Sequence, residues 1–321
     1  MKIKEVWDVY YKSHVLRKVI DRERMEQKWN LHLLPVFAER EILSLAQVDI
    51  DDYIEGRMNG SHPPVAALST ARGEVIALKT ALNYLNEKTK QLTLEERREF
   101  PNFEYPPQPQ GRVRWLDDDE IDGMFEQAAI DRPARYGARL SRLERFLWLG
   151  LETGAREMAI RKLKWPMVDF EKDEIDYRKI DAKLSPVQQQ RTNKKRKACV
   201  PMSPALREVL LRERTMQEEA GVKTDYVLDV TTTVYDAVIR TALRIGITDI
   251  SPHTLRHTFA TRRLAAGVDL WDVAGLLADT PETVRKTYGH HVPANLKRGV
   301  MLGTIGDRAD HIDRSFKTAA E

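Results

Sequence analysis

Four prolines crowd into "FPNFEYPPQPQGRVRW", residues 100–115, and no other stretch constrains the fold as strongly. Proline fixes φ and removes a backbone donor, and the segment has neither a helical nor a strand period, so it reads as an extended linker. A chain of 321 residues cut there leaves residues 1–99 and 116–321, two pieces each long enough to bury a core of its own.

The first piece reads as a small helical bundle. In "TARGEVIALKTALNYLNEKTK", Val75, Leu78, Leu82 and Leu85 fall on one helical stripe, and Arg72 and Lys79 lie off it. "MEQKWNLHLLPVFAER" and "VDIDDYIEGRM" add shorter helices. The second piece is mixed. Acids open a helix at "DDDEIDGMFEQAAI", where the helix dipole favours them, and "LERFLWLGLET" ends at Thr153-Gly154. Two strand-like pieces, "MVDFEKDEIDYRKI" and "KACVPMS", flank a polar stretch. Helix resumes at Ser203-Pro204, an N-cap followed by a first-turn proline. The expected fold is mainly α with one small antiparallel β-sheet.

Lys and Arg total 52 against 49 Asp and Glu, so the mildly basic balance permits a nucleic-acid partner without demanding one. The lone Cys199 excludes an internal disulfide and fits a reducing compartment. With no signal peptide and no long apolar run, a soluble cytoplasmic protein is expected, with no membrane partner.

"SPHTLRHTFATRRLAAG", 251–267, starts a helix at Ser251-Pro252 and sets His253 and Arg256 on one face of its first turn, a good place for a phosphate. His253 and His257 have a metal-ligand spacing. A zinc hydrolase of the H-E-x-x-H type needs Glu where Thr254 stands, and no third ligand follows, so no metal is expected. "QRTNKKRKACVP" holds Arg191, Lys194, Lys195, Arg196 and Lys197 between the strand-like pieces, either a solvated charge run or a basic β-turn that contacts a phosphate backbone.

In order, "TGAR" at 153–156, the basic turn, "PHTLRHTFAT" at 252–261 and "TVRKTYGHH" at 283–291 resemble the tyrosine recombinase (phage integrase) family over the whole second domain. The resemblance implies a helical core-binding domain joined to an α+β catalytic domain. It implies that Arg156 and Arg256 clamp a scissile phosphate and that Tyr288 attacks the phosphorus. It gives His253 as helper, either base or donor, and a β-turn lysine as the acid that protonates the leaving 5′-oxygen. Lys194 fits that register best and Lys195 is the rival. Arg191, Lys195, Arg196, Arg72 and Lys79 are candidate DNA contacts. The resemblance also implies a 3′-phosphotyrosyl link, no cofactor, double-stranded DNA as substrate, a tetramer on DNA with the tail after residue 291 packed on a neighbour, and room for an accessory DNA-bending protein. A relative that binds DNA without cutting it, and a type IB topoisomerase, are the alternatives.

Two positions depart from the family pattern. Ala159 stands where an acid usually orients the first arginine, and Glu157, about 100° away around a helix, cannot replace it. Asp279 stands nine residues before Tyr288, where histidine or tryptophan is usual. An ionised carboxylate cannot donate to a phosphate, so Asp279 is expected to accept instead, from Arg256, His253 or a backbone N–H.

Overall fold

A computed structural model describes residues 1–19, 21–89, 92–109, 113–181 and 197–291. The chain divides into two compact units with the boundary between Arg112 and Val113.

The first unit is helical. Helix α1 (Ile3–Tyr10) buries Ile3, Val6, Trp7 and Tyr10, an i, i+3, i+4, i+7 stripe, and Trp7 stacks on Trp29 with ring centroids 4.7 Å apart. Helix α2 (Gln47–Asn59) stops at Gly60, whose φ of 92° suits glycine. Helix α3 (Leu68–Lys88) buries Val75, Leu78, Leu82 and Leu85, the stripe read from the sequence. A buried Arg57–Glu74 pair ties α2 to α3.

The proline-rich stretch is not a free spacer along its first half. Phe103 is buried, and Phe100 and Tyr105 pack on the same core. Arg72 and Lys79 hold it there. Arg72 Nε donates to the Pro106 carbonyl at 2.8 Å with its guanidinium 4.9 Å from the Tyr105 ring, and Lys79 donates to the Phe103 carbonyl. The packed edge of this unit therefore runs past residue 99, because the aromatic residues between the prolines supply the apolar area that the prolines lack.

The second unit carries α4 (Asp118–Ile130), α5 (Arg142–Thr153), α6 (Glu157–Arg161), β1 (Val168–Asp169), β2 (Glu174–Asp176), β3 (Cys199–Pro201), α7 (Pro204–Glu219), α8 (Tyr235–Arg244), α9 (Pro252–Ala265), α10 (Leu270–Leu277) and α11 (Pro281–Tyr288). The sheet is antiparallel with β2 central; Val168 pairs with Ile175, and Ile175 with Val200. The mainly α fold with one small antiparallel sheet is thus the one expected. Ser203 accepts from Leu206 N and caps α7 as its sequence position implied. Ser251 differs: it sits at the N-cap of α9, yet its N–H donates to the Thr254 hydroxyl at 3.0 Å. Among the described residues no helix is long and apolar enough to cross a membrane.

Candidate active site

The Thr153–Gly154–Ala155–Arg156 turn is built by close packing. Gly154 closes α5 at φ +60°, and a Cβ there would sit 2.5 Å from Phe259 and 2.8 Å from Leu277. Only glycine tolerates both the left-handed backbone and that approach. The turn delivers Arg156 to the N-cap position of α6 and aims the Gly154 carbonyl at Arg256, whose Nη1 donates to it at 2.8 Å.

Arg256 lies on α9 and is 3% exposed. Its Nη2 donates to the Leu277 carbonyl at 2.9 Å and to Asp279 Oδ2 at 2.9 Å. Arg156 Nη2 donates to that same oxygen at 3.0 Å. Asp279 therefore accepts from both arginines, and it supplies the acidic partner to Arg156 that Ala159 cannot. Glu157 turns away to Thr233 and Arg161. Burial first, and then the facing Arg156, push Arg256 below the ordinary guanidinium range, while Asp279 opposes the shift.

Helix α10 ends at Ala278 in the left-handed region, φ 48°, and Asp279 N then donates back to Ala274 O at 2.9 Å. Thr280 caps α11 and Pro281 opens it. Tyr288 is the last residue of α11 and is 5% exposed, packed with Phe259, Leu277 and Val284.

The ring beside the phenol is that of His257. Its Nδ1 lies 2.6 Å from Tyr288 Oη. His253, one turn earlier on α9, is exposed on the wall of the cleft, with its ring edge-on to His257 at 4.7 Å between centroids. His257, four residues on from the expected helper His253 and on the same face of α9, is the ring that lies within hydrogen-bond distance of the phenol, and His253 lines the same cleft. Burial chiefly, with the charges of His253 and Arg256, lowers His257 to about 4, so it is neutral at ordinary pH. Burial raises Tyr288 to about 12, with Arg256 and Arg156 pulling down and Asp279 pushing up. In the tautomer with the ring proton on Nε2, the neutral imidazole accepts the phenolic hydrogen at Nδ1.

Arg156, His253, Arg256, His257, Asp279 and Tyr288 line one cleft of about 560 Å³. Five of the six residues expected to be catalytic meet there. Lys194, with Arg191, Lys195, Arg196 and the tail after residue 291, lies outside the described residues. Arg72 and Lys79 lie on α3 of the first unit and donate to carbonyls of the proline-rich stretch. In the sequence His257 stands out only for its metal spacing from His253, and no three His, Cys, Asp or Glu groups among the described residues gather to hold a metal ion.

The model of the phage integrase family matches residues 114–294. The chain belongs to this family of tyrosine recombinases. Among curated relatives, the tyrosine recombinase XerC of Staphylococcus carnosus is 46% identical over 72 residues, 22% of this chain and 21% of that protein. The tyrosine recombinase XerD of Corynebacterium glutamicum is 43% identical over 65 residues, 20% and 21% of the two chains. The chain thus matches about a fifth of the length of these relatives. Among solved structures, the Tn1549 transposon integrase in complex with transposon right end DNA aligns over 93% of this chain and 99% of its own, at 14% identity and a TM-score of 0.65. The XerH site-specific recombinase bound to its difH substrate, in a post-cleavage complex, covers 86% and 76% at 17% identity and 0.57. At such identities the family fold is what the two share with this chain.

Proposed function

We propose that this chain is a site-specific DNA recombinase that breaks and rejoins strands through a covalent 3′-phosphotyrosyl intermediate at Tyr288. The observation that carries the reading is the phenol of Tyr288, 2.6 Å from a neutral imidazole, in one cleft with two guanidinium groups that converge on a single anionic oxygen.

Tyr288 Oη attacks phosphorus as His257 Nδ1 takes the phenolic proton. The P–O5′ bond breaks, and the 5′-oxygen receives a proton from Lys194, or from Lys195 if the register differs. Arg156 and Arg256 balance charge on the non-bridging oxygens as phosphorus becomes five-coordinate. His253, at the mouth, donates to the phosphate. The new ester keeps the energy of the one broken, so a 5′-hydroxyl from a second duplex reverses the step on a new partner with no nucleotide cofactor. Arg191, Lys195 and Arg196 extend the DNA contact along the basic turn. Exchange between two duplexes calls for four active sites, hence a homotetramer on DNA in the cytoplasm, serving integration or excision of a mobile element. The DNA-bound states of the Tn1549 integrase and XerH support DNA as the substrate.

A nicked suicide duplex carrying the cognate site tests this. The wild-type chain forms a detergent-resistant protein–DNA adduct and Tyr288→Phe forms none. No adduct from the wild type on that site overturns the reading in favour of a relative that only binds DNA.

A further inference from the structure

The cleft already holds an anion, and it comes from the chain itself. Asp279 Oδ2 sits 3.0 Å from Arg156 Nη2 and 2.9 Å from Arg256 Nη2. A phosphate oxygen held by both guanidinium groups would occupy this same place, since it needs the same donors at the same charge-assisted distances. We infer that the Asp279 carboxylate is an intramolecular stand-in for the scissile phosphate, filling the arginine clamp in the DNA-free protein and leaving it when a phosphodiester enters. The inference rests on the clamp role proposed for Arg156 and Arg256.

Three features favour a stand-in over a fixed brace. Arg256 does not need the carboxylate to stay in place, because the Gly154 and Leu277 carbonyls already hold it at 2.8 and 2.9 Å. The Asp279 side chain is 26% exposed on the wall of the cleft, so it has a path to water. Its backbone is pinned independently, by Asp279 N to Ala274 O at 2.9 Å, so rotation of the carboxylate off the arginines gives up one further side-chain contact, Oδ1 accepting from Thr280 N at 3.1 Å, while the backbone stays held. Coexistence is disfavoured. An ionised carboxylate offers no proton to a phosphate oxygen, and the two anions at hydrogen-bond range repel. The clamp thus pays for an exchange of one anion for another, and only a phosphate presented with further DNA contacts displaces the tethered one efficiently.

The test uses the DNA-free full chain carrying Tyr288→Phe, so that its outcome does not depend on covalent chemistry. Inorganic phosphate is titrated by calorimetry into this chain with and without Asp279→Asn. A stand-in predicts affinity about tenfold or more higher with the asparagine, because the competing charge is gone. A brace predicts the opposite sign, since Arg156 loses the Asp279 bond that orients it. Unchanged or weaker phosphate binding overturns the inference. Adding Arg156→Ala to the asparagine chain must remove the gain; a gain that survives puts the phosphate elsewhere and also overturns it. If Asp279→Asn does not fold, a crystal of the Tyr288→Phe chain bound to its duplex decides. Phosphate on both guanidinium groups with Asp279 rotated off them supports the exchange, and Asp279 still bridging them overturns it. The adduct assay on the suicide duplex is separate, so loss of the recombinase reading and loss of the stand-in are told apart.

Discussion

Glu74 in the first unit and Asp279 in the second are both carboxylates set against arginine, and their surroundings differ. Glu74 takes Nε and Nη2 of Arg57 at 2.8 and 2.9 Å and the Tyr53 hydroxyl at 2.8 Å, with the acid 1% and the arginine 2% exposed. Arg57 Nη1 is satisfied by the His62 carbonyl at 2.9 Å. That pair is closed on every side. Asp279 gives one oxygen to two arginines, stays 26% exposed and borders a cleft. A sealed ion pair locks two helices together; an open one, with two cations around one anion, is a binding site with a tenant. The difference lies in solvent access and stoichiometry, not in the residue types.

The largest expected effect falls on the open side. Tyr288→Phe lowers adduct formation on the suicide duplex by at least about a thousandfold, since among the described residues no other hydroxyl is held on His257. Its melting temperature should stay near that of the wild type. A residual adduct would place the nucleophile elsewhere and break the comparison at its functional end.

On the sealed side, Glu74→Gln leaves Arg57 charged and buried without its partner. The cost is about 3–5 kcal/mol in urea or thermal unfolding, the scale for breaking a buried pair. A cost under about 1 kcal/mol would show that the Arg57 site admits water and is no more sealed than the cleft.

His257→Gln separates the two kinds of role within the cleft. Cleavage falls by about 10²–10⁴-fold, the usual worth of a positioned base. Stability changes as well, with a definite sign. The folded imidazole titrates near 4 against an ordinary 6.5, so in that window the folded chain binds fewer protons than the unfolded one. The neutral ring's contribution is complete above about pH 6.5 and is lost as pH falls towards about 4. His257→Gln should flatten that part of the stability curve, and an unchanged curve would mean that another group titrates there.

The smallest effect belongs to Lys79→Ala. It removes a partly exposed contact with Phe103 and Tyr105, worth about 0.5–1 kcal/mol by thermal melting. A larger loss would mean that the proline-rich stretch is anchored mainly by this lysine, not by the buried Phe103.

Much of this was legible in the residues alone. Periodicity marked the stripe of α3, Ser203-Pro204 and Ser251-Pro252 marked two helix starts, and the ordered motifs picked out Arg156, Arg256 and Tyr288. Local geometry repeats at fixed intervals, so sequence spacing records it. Chemistry made Asp279 an acceptor and put Arg256 and a backbone N–H among its expected donors, but not Arg156. Which donors it meets, and that His257 and not His253 faces the phenol, came from packing. Residues 156, 257, 279 and 288 share no helical repeat. Their meeting depends on how closely α5 and α9 approach at Gly154 and where the left-handed turn at Ala278 sends the chain. Contacts between distant elements are set by side-chain volumes across an interface, a quantity that no local spacing encodes.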